Sequence, residues 1–382
     1  MSANSRIEWT DHTFNPWMGC TKVSAGCANC YAERREEHRL HRVKWGQGQP
    51  RRRTTPSNWK EPVKWNKLPL VCDNCGGAFK ERCHHYTDNE QTYKCPNIVS
   101  GYRRPRVFCA SLADWLDAEV PIEWLADLLK LIHETPNLDW LLLTKRPENW
   151  RARVGLANDT LPLGSDVRIW VTRWVGSKAL GLTPQPPPNV WLGTSVEDQK
   201  AADERIPELL KIPAAVRFLS CEPLLGSADI SDFLPWKAEH QSKGLPSPLS
   251  NALAALTDVP GIDWVIAGGE SGPKARPMHP DWARGLRDQC AAAGVPFFFK
   301  QWGEWAPTEK FDHRAKRMFL EIDGKDSTLW DVARHSATTA NMQRVGKKAA
   351  GRLLDGKEHN ALPRQNGTTD QGKMDTHGEV GK

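Results

Sequence analysis

Apolar runs recur along the middle of the chain, and each run ends in polar or glycine-rich residues. Runs of this kind, without strict alternation, are typical of strands that are buried on both faces of a parallel sheet. A shorter pattern at residues 7–13 predicts one further strand, for about seven in all. The longer runs are RVFCAS (106–111), DWLLLTKRP (139–147), NVWLGTSVED (189–198), VRFLSCEPL (216–224), DWVIAGGESG (263–272) and PFFFKQWGEW (296–305).

Stretches with apolar residues at helical spacing separate several of these runs. Residues 121–136 begin with a proline at a first-turn position, and residues 279–294 end with Gly294, which suits a helix C-cap. A weaker pattern at 199–211 is interrupted by Pro207. Alternating strands and helices predict crossover units around a parallel sheet. We therefore expect an α/β fold built as a partial or complete (β/α) barrel.

The segments between and around these elements predict a division of the chain into regions. Within the barrel, residues 158–188 interrupt the pattern and end in a loop, and residues 229–260 show no clear periodicity. The predicted regions are 1–67 (barrel start with a cysteine loop and a basic insert), 68–103 (a small metal-binding insert), 104–310 (strand–helix barrel), 311–363 (C-terminal extension) and 364–382 (disordered tail).

The 382-residue chain carries a net charge of +6. This mild excess of positive charge is compatible with an anionic partner such as nucleic acid, and equally with a solvated surface. The N-terminal residues are polar and no run approaches the ~20 apolar residues of a membrane span. We therefore expect a cytoplasmic protein without membrane contact. In that reducing compartment, clustered cysteines indicate metal ligands or redox groups rather than disulfides.

The first cluster of cysteines consists of Cys20, Cys27 and Cys30, after the first predicted strand and thus at the active-site end of a barrel. Each iron of a [4Fe–4S] cluster takes a thiolate, so three cysteines leave one iron open. S-adenosylmethionine (SAM) can chelate that iron, and an electron from the cluster then cleaves its sulfonium to yield a 5′-deoxyadenosyl radical. The alternatives are a zinc site with a distant fourth ligand and cysteines that only pack in a core.

An ordered series of motifs carries a resemblance over most of residues 5–305. The motifs are FNPWMGCTKVSAGCANCYAE, LLLTKRPENW, LGTSVED, CEPLLG, VIAGGESGPKARPMHPDW and PFFFKQWGEW, with VGKKAAGRLLDG at 345–356. Together they resemble the phage gene-product 37/68 family, a domain of unknown function whose members are also called three-Cys-motif proteins. That family in turn resembles the radical SAM superfamily, including spore-photoproduct-lyase-like enzymes. The resemblance implies a partial barrel of the radical SAM type, a [4Fe–4S] cluster and SAM, and it implies no particular substrate.

Two features of this sequence depart from most radical SAM enzymes. Six residues, rather than three, separate Cys20 from Cys27. Most of those enzymes also hold the SAM amino group with a Gly-Gly-Glu-like stretch after the second strand, where this chain has FCASLADWLD. Ser111 and Asp114 are the candidate substitutes within that stretch.

A second cluster of cysteines follows the basic insert. A C-x2-C pair in a glycine-containing turn, completed by two further cysteines, gives a tetrahedral thiolate set that suits structural zinc. His84 or His85 could replace the third cysteine. The segment has too few apolar residues to fold by itself, so a metal would supply its folding free energy. An auxiliary iron–sulfur cluster and four unrelated thiols are the alternatives. The four residues are Cys72, Cys75, Cys83 and Cys95.

In a barrel, the polar residues at the C-terminal strand ends point at the reacting groups. We expect Lys145, Arg146 and Lys300 to hold an anionic substrate, and Cys221 to serve as a hydrogen-atom donor. Alternatively, the polar residues at any single strand end could simply mark the ordinary transition from a strand to a loop. The residues predicted to bind SAM are Ser111, Asp114, Thr194, Ser195, Glu197, Gly268, Gly269 and Glu270, in which the glycines allow close approach of the backbone.

These features predict a radical SAM-like iron–sulfur enzyme that modifies a nucleic-acid base or a nucleotide and takes electrons from a donor. The substrate prediction depends on the basic segment 49–67, where Arg51 to Arg53 would contact phosphates and Trp59 and Trp65 would stack on bases. The alternative is a non-catalytic, metal-stabilised nucleic-acid-binding or adaptor protein of phage origin. Nothing in the sequence indicates the oligomeric state.

Overall fold

The computed structural model describes residues 2–3, 5, 7–67, 71–72, 102–235, 261–308, 316–327 and 338–363. Seven parallel strands form one sheet, in which each strand pairs with the next strand along the chain. The sheet curls into a half-barrel, which confirms the α/β class and is compatible with a partial (β/α) barrel. The strands are β1 (His12–Thr13), β2 (Arg106–Cys109), β3 (Asp139–Thr144), β4 (Val190–Ser195), β5 (Val216–Cys221), β6 (Trp264–Gly268) and β7 (Phe297–Gln301).

Side chains alternate between the two faces of this sheet. On the outer face, Trp140 and Leu142 of β3 belong to the main core under the helices, whereas Leu141 belongs to a smaller core inside the half-barrel. Gly193 is required in that inner core, because a Cβ at this position would lie 2.4 Å from the ring of Phe218. The inner core consists of Trp9, Phe108, Leu141, Trp191, Val216, Phe218, Trp264, Ile266 and Phe298.

The first strand is shorter than the sequence pattern predicts. Only His12 and Thr13 pair with β2. Trp9 instead packs inside the half-barrel, with its ring centroid 4.8 Å from that of Phe108 and 5.9 Å from that of Trp264. The large indole side chain of Trp9 is buried inside the curled sheet, and the backbone at Trp9 does not pair with a neighbouring strand of the described sheet.

The longer helices of the described part cover the outer face of the sheet. Helix α4 is continuous through Pro207, because Ala202, Ile206 and Leu209 bury its apolar side in the main core. Helix α3 lies within 158–188, which the sequence pattern treats as an interruption; Val167, Val171 and Trp174 form its buried face. These helices are α1 (Ile122–Glu134), α2 (Trp150–Thr160), α3 (Asp166–Val175), α4 (Gln199–Leu210) and α5 (Pro280–Ala293).

Shorter elements connect the barrel strands and flank them. The two-residue strands are Ser2–Ala3, antiparallel to β1, and the pairs Trp17–Met18 with Arg52–Arg53 and Val71–Cys72 with Tyr102–Arg103. The short helical turns are Ala25–Cys27, Tyr31–Glu33, a π-helical Arg34–Arg39, Pro56–Trp59, Glu61–Trp65, Pro147–Asn149, Ser231–Phe233 and Lys347–Ala350.

A small antiparallel sheet follows the barrel, with strand order β8-β11-β9-β10. Its first strand pairs with its last, so the sheet spans the boundary predicted at residue 310. The pattern of the sequence did not predict this sheet. Its strands are β8 (Trp305–Pro307), β9 (Arg317–Glu321), β10 (Asp326–Ser327) and β11 (Thr339–Arg344).

The last described residues, 351–363, form a C-terminal segment that returns to the barrel. The backbone N–H of Phe299 donates to the carbonyl of His359 at 2.9 Å, and Phe298 bridges Asn360. The indole N–H of Trp264 donates to the carbonyl of Ala361 at 2.9 Å. The C-terminal segment therefore covers the outer edge of β7, which would otherwise be an unpaired strand edge.

Two further sequence predictions concern the second cluster of cysteines and membrane contact. The second cluster of cysteines lies outside the described residues, apart from the backbone of Cys72. Among the described helices, none combines the length and the apolar composition that crossing a bilayer requires.

Candidate functional site

One cavity of about 510 Å³ opens at the C-terminal ends of the barrel strands. Its inner wall includes the aromatic rings of Trp9 and Phe108, and its mouth lies between the strand ends and the N-terminal cysteines. The cavity brings together residues that the sequence predicted separately. It is lined by Cys20, Cys27, Cys30, Ser111, Asp114, Lys145, Ser195, Gly269, Glu270 and Lys300.

The three cysteines lie on a loop of residues 19–30, here called the cysteine loop. It begins at Gly19, whose φ of 101° disfavours other residues and where a Cβ would lie 3.1 Å from Val43. Cys27 closes the short turn Ala25–Cys27, and Cys30 immediately precedes the next helical turn. All three are free thiols and are half-buried. They therefore remain available as ligands on the wall of the cavity.

A first carboxylate–arginine pair holds the start of the cysteine loop. Arg146 donates to Asp114 at 2.8 Å and, through its other terminal nitrogen, to the carbonyl of Thr21 at 2.6 Å. Its guanidinium is also 3.6 Å from the sulfur of Cys20. Asp114 accepts further bonds from the Thr144 hydroxyl and the Lys145 backbone N–H, so its oxygens are fully used within the protein.

A second pair lies beneath the middle of the loop. Arg205 donates to both oxygens of Glu197, at 2.8 and 3.3 Å, and to the carbonyl of Ser195. A Cβ built on Gly26 would lie 3.1 Å from the Glu197 carboxyl carbon, so the loop packs directly on this carboxylate. Burial raises the pKa of Glu197, but the charges of Lys145 and Arg205 outweigh it and hold the pKa below its usual value.

A third pair holds the end of the loop. Arg276 donates to both oxygens of Glu270, at 2.7 and 2.9 Å, and to the carbonyl of Ala25 at 3.0 Å. Asn29 donates to the same carboxylate at 3.0 Å. Although burial opposes it, this bonding lowers the pKa of Glu270.

These contacts differ from the roles that the sequence suggested for the three carboxylates. Asp114, Glu197 and Glu270 were predicted to bind SAM, but each is paired with an arginine and each supports the cysteine loop. The three arginines were not all recognised from the sequence. A weak signal existed, since two of them follow their carboxylates by 8 and 6 residues.

Two of the three thiols, Cys20 and Cys30, have raised pKa values in the metal-free protein. Burial raises the pKa of Cys20 to about 12, and the nearby charge of Asp114 adds to this effect while Arg146 opposes it. Burial likewise raises the pKa of Cys30. A bound metal displaces such protons, so loading of this site releases protons to solution.

The opposite wall of the cavity carries an ion pair and two hydroxyl groups. Lys300 donates to both oxygens of Glu222, at 2.7 and 2.8 Å, and Gln301 adds a third bond at 3.2 Å. The side chains of Ser195 and Ser220 line the same wall and bond to no other side chain in the described part of the chain. This wall can therefore offer both charges and free hydroxyls to a ligand.

Several predicted residues do not face the cavity. Cys221 is fully buried in the core on the helical side of the sheet, because its neighbours on β5 take the inward positions. A donor role for Cys221 in this cavity is therefore not supported. Thr194 is also buried, and its hydroxyl donates to the carbonyl of Thr144.

The two glycines at the end of β6 approach protein rather than ligand. A Cβ on Gly269 would lie 1.9 Å from the carbonyl oxygen of Trp302, and one on Gly268 would lie 3.4 Å from that of Gln301. Gly269, which follows β6, therefore allows the chain to lie against the residues after β7, whereas a Cβ on Gly268 would make only ordinary van der Waals contact. Gly269 lines the cavity only with its backbone.

Among the described residues, no three His, Cys, Asp or Glu side chains converge as ligands of a single metal ion. A [4Fe–4S] cluster does not require such convergence, since its cysteines bind different irons. The arrangement of three free thiols around one cavity fits that group. The second cluster of cysteines lies outside the described residues, so its predicted zinc stays a prediction.

Comparisons with known proteins give one result. Comparison with curated proteins gives no match, and comparison with solved structures gives none. The sequence profile of a family described as "Protein of unknown function (DUF5131)" matches residues 4–363. This match covers nearly the whole chain, and the protein therefore belongs to the DUF5131 family.

Proposed function

We propose that the protein is a radical SAM-like iron–sulfur enzyme. Cys20, Cys27 and Cys30 would each ligate one iron of a [4Fe–4S] cluster and leave the fourth iron for SAM. The observation that carries this proposal is that three free thiols share a cavity at the C-terminal ends of a parallel half-barrel. When bound, the cluster and SAM supply an electron and a 5′-deoxyadenosyl radical.

The residues of the chain would position and isolate this chemistry. The pairs formed by Arg146, Arg205 and Arg276 hold the cysteine loop at Thr21, at Gly26, and at Ala25 together with Asn29. A loop held in this way presents its thiols with little loss of entropy on binding. The cavity volume of about 510 Å³ lies within the range of small-molecule sites.

The Lys300–Glu222 pair and the two serine hydroxyls suit a ligand that carries both charges. SAM has an amino group and a carboxylate in its methionine part, and the ion pair offers a partner for each. Ser195 and Ser220 could donate to or accept from a ribose. We assign these groups to ligand binding in place of the carboxylates that support the cysteine loop.

Anaerobic purification tests the iron–sulfur proposal directly. The protein should show visible absorption and about four irons at this site, and the triple change Cys20→Ala, Cys27→Ala and Cys30→Ala should remove both. Cys290→Ala is the matched control, because Cys290 is buried in the core on α5. Absorption that persists in the triple variant would move the cluster to the second cluster of cysteines. In that same variant, one bound zinc per chain would support the zinc prediction for the insert.

Turnover distinguishes an enzyme from an adaptor. With a chemical reductant and SAM, the loaded protein should form 5′-deoxyadenosine slowly even without substrate, since uncoupled cleavage needs only the two cofactors. The assay is chromatographic detection of 5′-deoxyadenosine over time. A fully loaded protein that never cleaves SAM would favour the non-catalytic adaptor instead.

A further inference from the structure

The lining of the cavity contains more positively charged than negatively charged side chains. Its three acids are each neutralised by a cation, since Glu222 pairs with Lys300 and the carboxylates of Asp114 and Glu270 pair with arginines. Lys22 pairs with Glu33. Three further cations of the lining, Arg34, Lys145 and Lys347, form no ion pair within 4 Å in the described part of the chain. Of these, Lys145 lies close enough to the Glu197 carboxylate for its charge to lower the pKa of that group. The cavity therefore has a net positive lining.

These three mouth cations come from three separate elements. Arg34 starts the π-helical turn after the cysteine loop, Lys145 follows β3, and Lys347 starts the short helix after β11. Arg34 and Lys347 are exposed, and Lys145 is half-buried. Cations placed on different sides of one opening can contact several anionic groups at once, and they raise the local concentration of anionic ligands.

An aromatic ring lies beside these cations. Tyr31 lines the same cavity, and 50% of its surface is exposed. The Tyr31 hydroxyl donates to the carbonyl of Ser111, so the ring is held in one position. A fixed and exposed ring beside cations is the arrangement on which proteins stack nucleobases.

The basic segment 49–67 has exposed cations, among them Arg52 and Lys60, but it offers no exposed ring beside them. Arg51 is buried and pairs with Asp117 at 2.8 Å. Arg53 pairs with Asp127 and lies 4.4 Å above the ring of Trp59. Trp65 is also buried, so these residues hold the segment to the barrel.

We propose that the mouth of the cavity binds the phosphate groups of a nucleotide or a single-stranded nucleic acid, with a base stacked on Tyr31. The reaction that would follow binding rests on the proposed function. Recognition of the ligand rests only on the three mouth cations and the ring of Tyr31. Phosphates would contact Arg34, Lys145 and Lys347. A free nucleotide and a single-stranded nucleic acid both carry phosphate and a base. They differ in the number of phosphates that can contact the protein at once.

Binding is measured on the full-length protein, purified anaerobically, before any reductant or SAM is added. One probe is a short fluorescein-labelled single-stranded oligodeoxynucleotide followed by anisotropy, and the other is AMP followed by calorimetry. Each titration is repeated over a range of salt concentrations. Because no turnover is required, failure of this experiment is separable from failure of SAM cleavage.

The test variant carries Arg34→Gln, Lys145→Gln and Lys347→Gln. It should bind the oligonucleotide more weakly, and the slope of log affinity against log salt should be smaller by about 2, since each phosphate contact on a single strand contributes about 0.7. The control changes Lys60, Lys64 and Lys67 to Gln, which removes the same charge from the basic segment. A double variant, Arg34→Gln with Lys347→Gln, tests the exposed cations alone if the triple variant fails to fold.

Each outcome decides the proposal. Loss of oligonucleotide binding in the test variant but not in the control supports it and assigns a polynucleotide. AMP binding that the test variant loses, without oligonucleotide binding, supports it and assigns a free nucleotide. Equal binding by test variant and wild type, greater loss in the control, or no binding of either probe to the wild type would overturn it. Tyr31→Leu should weaken binding roughly 5- to 150-fold, as the loss of one base stack predicts.

Discussion

At the scale of single residues, glycines and buried carboxylates determine how the candidate site is built. Gly269 lets the end of β6 lie against the backbone at Trp302. Glu197 supports the cysteine loop only in its ionised form, because its oxygens accept from Arg205. Both positions allow tests that need no cofactor.

Gly269→Ala should destabilise the protein by about 1–3 kcal/mol, since the added Cβ would require the backbone to move. The matched control is Gly285→Ala in the interior of α5, where a Cβ would meet its nearest atom at 4.0 Å. That change should stabilise the protein by about 0.5–1 kcal/mol. Urea unfolding of both variants measures these effects, and equal stability of Gly269→Ala and wild type would contradict the close approach.

Glu197→Gln should cost about 1.5–3 kcal/mol at neutral pH, because the buried guanidinium of Arg205 loses its counter-charge and one of its two acceptor oxygens. The lowered pKa of Glu197 means that the folded state binds fewer protons than the unfolded state in mild acid. The stability from this carboxylate is therefore present above the unfolded pKa of about 4.3 and is lost as the pH falls through the lower folded pKa. Urea unfolding across this range should show the two proteins converging at acid pH. A constant difference would mean that Glu197 is not ionised in the pair.

At the scale of elements, the cysteine loop depends on strands far from it in sequence. Its own residues form only short turns. Its conformation comes from carboxylates placed by β4 and β6 and by the turn after β2. A change in one of these pairs should therefore alter the thiols without altering the rest of the barrel.

Arg276→Gln should release the carbonyl of Ala25 and loosen the loop from the turn Ala25–Cys27 onward. The alkylation of Cys27 and Cys30 in metal-free protein should accelerate about tenfold or more, because a charge-assisted bond contributes about 1.5–3 kcal/mol. Arg284→Gln is the control, since Arg284 pairs with Asp281 and Asp355 instead. Mass spectrometry follows the modification of each thiol. Unchanged rates in Arg276→Gln would exclude a positioning role for this residue.

The C-terminal segment is the second element with a testable role. Deletion of residues 352–382 should expose the edge of β7 and leave the indole N–H groups of Trp264 and Trp302 without their carbonyl partners. We expect a protein that aggregates or unfolds at lower temperature. Deletion of 364–382 is the control and should leave the melting temperature unchanged, since that sequence is polar and glycine-rich. Equal melting temperatures for the two deletions would argue against the covering role.

At the scale of the whole molecule, the sequence predicts the barrel better than its site. All six of the longer apolar runs contain strands, because a buried parallel strand needs continuous apolar residues. Position at a strand end suggests that Cys221 is near the reacting groups, but alternation along β5 puts its side chain in the main core on the helical side of the sheet. Pairings such as Glu270 with Arg276 depend on loop geometry, which no local pattern encodes. The small C-terminal sheet was missed for a similar reason, since its first and last strands are far apart in sequence.

The three carboxylate–arginine pairs have a consequence for biosynthesis. The cysteine loop leaves the ribosome first, and its last anchor, Arg276, is made 246 residues after Cys30. At about 5–20 residues per second, the thiols emerge roughly 10–50 s before that anchor exists. We therefore expect loading of the proposed iron–sulfur cluster to follow completion of translation rather than accompany it. A stalled nascent chain that ends before residue 270 should retain no iron, and iron bound by such a chain would show that the loop needs no anchors.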